Sequence, residues 1–285
     1  MDQHLFIFVM YKWQYGGCNL MKKMLRPLVV SIGFYIAACG IVVRVVPAQM
    51  ARAGAATSAS TSSAPALLSN SQQAPAPSQP SKTPAPQGDK FEIADISHHD
   101  TISNWITLKK NVSGLYTKAT EGDTYVDPML DSYTKEAQKV ELPMGYFHYF
   151  WPTEDTNDAI KQADHFYNTI RPYGYTFFPA LDVEESNNLS TTSVVASVRA
   201  FCNEFERISG HSLLIYCSSN FADKYLSDSS LAKYGLWVAD YNKHEPGKAG
   251  TWKTHAMWQY TCTAHMDGVI GDMDANHSTS AIILH

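Results

Sequence analysis

"HAMWQYTCTAHMDGVIGDMD" (residues 255–274) contains two strand-like runs, 255–261 and 267–274, with only residues 262–266 between them. A parallel crossover between neighbouring strands takes a dozen or more residues, usually including a helix. This connection is too short for one, so the last strands are expected to join as hairpins. Upstream the pattern differs. Strand-like runs "FEIADIS" (91–97), "SGLYTKAT" (113–120), "PMGYFHYF" (143–150), "TFFPALDVE" (176–184) and "SLLIYCS" (212–218) are spaced by helix-compatible stretches. "DPMLDSYTKEAQKV" (127–140) offers Asp127 as N-cap and Pro128 as first helical residue. Residues 154–170 and 190–209 repeat apolar positions every three or four residues, and Gly210 suits a helix end. Alternation of this kind implies parallel βαβ units. With "YGLWVAD" (234–240) as a further strand, the expectation is an α/β barrel over 91–285. It has about five βα units, then about three helix-poor strands, and departs from the regular eightfold barrel.

The 285-residue chain, 45% hydrophobic and 17% charged, suits one sizeable domain with appendages. Residues 1–53 read as a leader. "MKKMLRP" (21–27) is basic, "LVVSIGFYIAACGIVV" (28–43) is apolar, and "PAQMARAGAA" (47–56) supplies small residues. That order fits a secretory signal peptide, with Met21 or Met24 as alternative starts. A retained membrane anchor across 28–46, or a lipoprotein box at "IAAC" (36–39), are the alternatives. All three put the remaining chain outside the cytoplasm, secreted or held at the cell envelope. Residues 54–90, rich in Ala, Ser, Thr, Gln and Pro, read as a solvated flexible linker.

Charge is uneven. Residues 1–90 hold eight Lys/Arg and two Asp, a net of +6; the rest holds 14 basic and 25 acidic residues, a net of −11. An acidic barrel argues against a nucleic-acid partner, which needs a basic face. Three cysteines, Cys202, Cys217 and Cys262, fall in the barrel, leaving open a Cys202–Cys217 disulfide or buried thiols.

In such barrels the active site lies at the C-terminal ends of the strands. "FFPALDVEES" (177–186) ends its strand in Asp182 and Glu184, which strand alternation would point the same way while turning Glu185 aside. The same rim collects Asp95, Glu121, Gly122, Tyr146, His148, Trp151, Asp240, Tyr241, Trp258, Gln259, Tyr260, Asp272 and Asp274, with His98 and His99 just beyond. Aromatic faces stack on sugar rings, and glycoside hydrolysis uses a carboxyl pair flanking the bond. No tight His/Glu ligand spacing is present, so no metal or cofactor is expected.

Seven segments carry a resemblance, in order along 91–285: "DISHHDTISNW" (95–105), "YTKATEG" (116–122), "GYFHYF" (145–150), "LDVE" (181–184), "LWVADY" (236–241), "WQY" (258–260) and "GDMDAN" (271–276). They resemble the strand motifs of glycoside hydrolase family 25, the Chalaropsis-type lysozymes. The resemblance implies a TIM-like (β/α)5(β)3 barrel and an N-acetylmuramidase cutting the β-1,4 bond between N-acetylmuramic acid and N-acetylglucosamine. By the same resemblance Glu184 is the general acid, Asp182 its orienting or stabilising partner, and Asp95 and Asp274 further catalytic carboxylates. Tyr146, His148, Trp258, Gln259 and Tyr260 match sugar-contacting positions. Trp151, Glu121 and Asp240 complete the expected substrate-binding set. Departures are Asn104 where the family often has Asp, the bulky "YFHYFWP", and Asp240 itself. A monomer acting on peptidoglycan glycan strands is the expected form. A metal-dependent polysaccharide deacetylase and a silent wall-binding barrel are the rival readings.

Overall fold

A computed structural model describes residues 90–242 and 244–284. The leader and the linker up to residue 89 lie outside the described residues. In chain order the elements begin with β1 (Lys90–Ile96), β2 (Thr101–Ile102), α1 (Trp105–Asn111), β3 (Gly114–Glu121), β4 (Tyr125–Val126) and α2 (Leu130–Lys139). There follow β5 (Met144–Tyr149), α3 (Thr156–Ile170), β6 (Ala180–Asp182), α4 (Thr191–Ser209), β7 (Leu214–Ser218) and α5 (Ser219–Tyr225). The last strands are β8 (Gly235–Ala239), β9 (Met257–Ala264), β10 (Val269–Ile270) and β11 (Met273–Thr279).

Strands β1, β3, β5, β6, β7, β8 and β9 pair in parallel with successive neighbours. β11 lies antiparallel between β9 and β1 and closes the ring. Helices follow β1, β3, β5, β6 and β7, and none follows β8 or β9, so the barrel is (β/α)5(β)3. The hairpin expectation holds for β9–β11 alone. β8 and β9 are parallel, joined through the helix-free segment 240–256, which is long enough to cross back without a helix. The final strand spans 273–279 rather than 267–274, because Gly268 and Gly271 sit at φ 95° and 88°, which no extended strand accommodates. β6 is likewise shorter than 176–184: Phe177 bridges to Ile283 and Phe178 N–H bonds Ile282 O at 2.8 Å, drawing that backbone to the C-terminal segment.

Helix ends follow local chemistry. Ser190 caps α4 by accepting Ser193 N–H, and Gly210 ends it at φ 72°. α2 starts at Leu130, after a turn in which the Asp127 side chain accepts Met129 N–H at 2.9 Å and its carbonyl accepts Leu130 N–H at 3.1 Å, so Asp127 caps that turn and not the helix itself.

Period-two alternation sorts the side chains. Ile93, Tyr116, Ala180, Leu214, Trp237 and Met257 fill the barrel interior, with Phe177, Ile282 and Ile283 joining them. Their strand neighbours Ala94, Leu115, Tyr146, Leu181, Ile215 and Leu236 pack in the other core cluster, together with helix residues such as Phe166 and Phe201. Cys202 and Cys217 are separate buried thiols rather than a disulfide, and burial pushes both thiols up.

Two packing details give measurable consequences. The Tyr116 ring lies 4.9 Å from Trp237 and stacks on Phe177 at 5.7 Å, and it uses the space left by Gly145. A Cβ at Gly145 would sit 2.4 Å from that fully enclosed ring. Alanine normally strengthens a strand relative to glycine, but here overpacking dominates. Gly145→Ala is expected to cost about 1–3 kcal/mol in urea unfolding; an unchanged midpoint would contradict this packing.

His148 is sealed between the barrel and the helices. It bonds Thr120 Oγ1 at 2.7 Å and Gln162 Oε1 at 3.1 Å, and stacks on Phe201 at 5.0 Å. Burial lowers its pKa from 6.5 to about 3, so the folded imidazole stays neutral. Between those values the unfolded chain binds a proton that the folded chain refuses. Stability therefore falls with falling pH through that window, by about 1.4 kcal/mol per pH unit from this one group. His148→Gln should flatten the stability curve there; parallel curves for the two proteins would refute the assignment.

Candidate active site

The floor of the rim is built by the strand pairing that closes the barrel. Asp95 and Asp274 are direct partners across β1 and β11, so both point inward. Asp274 begins its strand where Asp95 nears the end of its own, and the reversed direction brings both to one rim. Each is nearly buried, at 7% exposure. Asp95 accepts N–H bonds from Gln259 Nε2, at 3.2 and 3.1 Å, and from Asn276 Nδ2 at 2.7 Å. The Gln259 carbonyl oxygen in turn accepts from the Tyr216 and Tyr241 hydroxyls at 2.9 and 2.8 Å.

Asp182 is the last residue of β6 and is 3% exposed. Its carbonyl takes Phe150 N–H at 2.9 Å, and Val183 N–H bonds Tyr216 O at 2.8 Å. Glu184 follows two residues past the strand and is half-buried. Strand alternation therefore stops before Glu184, and the inference that Glu185 turns aside does not hold. Glu185 Oε1 lies 3.5 Å from the Tyr149 hydroxyl. Two inward phenols report where the charges gather. Burial raises the Tyr149 phenol, followed by the charges of Glu184, Asp182, Glu185 and Glu121. Burial also raises Tyr216, followed by Tyr241, Glu184, Asp182 and Asp95.

On β3 a register shift between Lys118 and Thr120 turns both Lys118 and Glu121 inward, although their spacing would separate them on a regular strand. Lys118 Nζ bonds Glu121 Oε2 at 2.6 Å and lies 4.9 Å from the Tyr149 ring centre. Trp151, 37% exposed, donates its indole N–H to Glu121 Oε1 at 3.1 Å and meets Tyr149 edge-on at 5.6 Å. Gly122, at φ 58°, makes the turn that follows.

Several expected contact residues are elsewhere. Tyr146 and His148 are fully enclosed on the helix side of β5, out of reach of any sugar. Period two puts Phe147 and Tyr149 inward instead, and Trp151 lies beyond the end of β5, where its side chain meets Tyr149. Of the three β9 residues expected at the site, Gln259 alone faces in. Trp258 and Tyr260 lie on the opposite strand face, where Trp258 donates to Asp240 O at 2.6 Å and Tyr260 bonds Glu92 and stacks on His277 at 4.2 Å. Asp240 is engaged locally, accepting from Ser219 Oγ at 2.9 Å and from Asn242 N–H at 3.1 Å. His98 is tied to buried Asp127 through Nδ1 at 2.7 Å. Among the described residues no three His, Cys, Asp or Glu side chains are grouped as metal ligands. Tyr241 stands at the rim as expected, whereas Tyr149, Tyr216, Lys118 and Asn276 were not assigned to the site; Tyr149 and Tyr216 are the cross-strand register partners of Asp182, and the β3 bulge leaves no sequence signal.

Comparison with known proteins agrees with this architecture. Residues 94–269 match the family described as Glycosyl hydrolases family 25. The autolytic lysozyme of Clostridium acetobutylicum is 27% identical over 62% of this chain and 52% of its own length. Lysozyme M1 of Streptomyces globisporus is 27% identical over 64% of this chain and 65% of its own. The chain thus spans about half to two thirds of these relatives. Among solved structures, the Clostridium perfringens spore cortex lytic enzyme SleM superposes with a TM-score of 0.65 at 27% identity, covering 68% of this chain and 69% of that one. With the barrel closed in (β/α)5(β)3 order and the match spanning most of it, the chain belongs to glycosyl hydrolases family 25.

Proposed function

We propose that this protein is a peptidoglycan hydrolase, an N-acetylmuramidase that cuts the β-1,4 bond between N-acetylmuramic acid and N-acetylglucosamine. The observation that carries this reading is the strand register that sets Asp182 between Tyr149 and Tyr216 and Asp95 opposite Asp274 at one rim, with Glu184 two residues beyond Asp182. Similarity to proteins named lysozymes supports the same substrate class. The exported leader expected from the sequence would deliver the barrel to the envelope or beyond it.

Each residue then has a task. Glu184, half-buried and reachable, gives its proton to the leaving glycosidic oxygen. Asp182, enclosed at the strand end, stays ionised and faces the positive charge that develops on the sugar ring, or orients the N-acetyl group. Asp95 and Asp274 add negative potential on the opposite side, where preorganised charge stabilises an oxocarbenium-like state without solvent reorganisation. Trp151 offers an exposed aromatic face for a sugar, held by Glu121. Tyr149 and Tyr216 flank the carboxylates; as the C1–O bond breaks and the leaving oxygen takes the Glu184 proton, one water completes the hydrolysis, its hydroxyl ending on C1 and its proton returning to Glu184.

The test is Glu184→Gln, assayed on purified peptidoglycan with fragments identified by mass. General-acid catalysis contributes about 10²–10⁴-fold, so kcat/KM should fall by that factor with unfolding unchanged. Solubilisation at the wild-type rate would reject Glu184 as the acid, and new reducing ends other than N-acetylmuramic acid would reject the bond.

A further inference from the structure

We propose that Trp237 and Asn276 are positioning residues for this chemistry: the Trp237 indole fixes the Asn276 amide, which together with Gln259 holds Asp95 as an oriented carboxylate. The activity arm of this inference rests on the muramidase reading; its structural arm does not.

The argument begins with a donor that cannot reverse. An indole N–H only donates, so the Asn276 atom 2.7 Å from Trp237 Nε1 is its oxygen. The NH2 group must then point the other way. Its two protons are used on Ile93 O at 2.9 Å and on Asp95 Oδ2 at 2.7 Å. The Gln259 oxygen is occupied by the Tyr216 and Tyr241 hydroxyls, which turns its NH2 onto both oxygens of Asp95. Trp237, Asn276 and Gln259 are all buried, at 2% exposure or less. Asn276, fixed in sense by the indole, and Gln259, whose oxygen takes the two phenols, therefore both turn N–H groups onto Asp95. A protonated Asp95 would oppose a proton to a donor and forfeit a bond, so the arrangement favours the charged form.

This matters because the surroundings push the other way. Asp274 is paired with Asp95 across the sheet, and Tyr116 is its register partner on β3. Asp182, Glu184 and the Tyr241 phenol act with Asp95 on the shared neighbour Tyr216. A rim carrying four carboxyl groups cannot hold all of them ionised without opposing polarity. The amide pair assigns a negative charge to Asp95 and directs any shared proton elsewhere on the rim. Trp237 does this from beneath, without touching substrate.

The experiment uses the full-length chain, carbon-13 labelled at aspartate, as wild type, Trp237→Phe and Asn276→Asp. Phenylalanine keeps an aromatic ring and removes the N–H; aspartate keeps the shape of Asn276 and removes its N–H donors. The Asp95 carboxyl carbon is titrated by NMR, and kcat/KM on peptidoglycan is measured against pH. The Asp95 midpoint should rise by about one pH unit in Trp237→Phe and further in Asn276→Asp. The acid limb of kcat/KM should move up with it; Trp237→Phe carries the decisive comparison, because Asn276→Asp also buries a new carboxyl beside Asp95 and lowers the unfolding temperature. A core role alone would lower activity evenly across pH and leave the Asp95 midpoint in place. An Asp95 midpoint unchanged in Trp237→Phe overturns the proposal. A wild type that releases no N-acetylmuramic acid ends while the midpoint still shifts overturns the muramidase reading and leaves the positioning role standing.

Discussion

The antiparallel pairing of β11 with β1 closes a sheet whose other neighbours are parallel, and the rest of the molecule is arranged around that closure. It removes the open edges that a curled parallel sheet would otherwise present. It also sets the register in which Asp95 faces Asp274, Ile93 faces Asn276 and Glu92 faces His277. Every inward position of β1 is thereby matched to an inward position of β11. The carboxylate pair and the Asn276 amide beneath it come from the same ladder. A slip of one residue would send all of them to the outer face.

Above the apolar floor of Tyr116, Phe177 and Trp237, the interior becomes polar. Buried carboxylates are costly unless hydrogen-bonded. Asp95 meets that demand with three N–H contacts from two amides. Glu121 meets it with Lys118 and the Trp151 indole. The aromatic residues join the two layers, since Trp237 packs against Tyr116 on one side and hydrogen-bonds Asn276 on the other. Stability of the core and orientation of the polar rim therefore share the same side chains.

Much of the architecture was legible in the sequence. The helices announce themselves through apolar spacing and caps such as Ser190 and Gly210, and the short connection 262–266 implies the β9–β11 hairpin. The parallel entry of β9 was not legible, because the segment 240–256 crosses the barrel with no helical pattern to mark it. At the rim, Asp95, Asp182 and Asp274 stand out as polar ends of apolar strands. Their neighbours are harder to read, since parity depends on where a strand bulges or stops. Tyr146 and His148 fall on the helix side by one residue, and Lys118 and Glu121 reach the same side only through the β3 register shift. Asn276 closes the segment 271–276 that carries the resemblance, but its role was not legible because it lies in what Trp237 and Asp95 do to it across the barrel.

The central claim is that the inward-facing rim, and not the outer face bearing Trp258 and Tyr260, receives the glycan. The most direct measurement is a crystal structure of the Glu184→Gln variant soaked with an oligomer of alternating N-acetylglucosamine and N-acetylmuramic acid. The account predicts sugar density across the rim between Asp182 and Asp95, with Trp151 against a ring and Tyr146 and His148 untouched. Ordered sugar on the Trp258–Tyr260 face, with the rim empty, would contradict it.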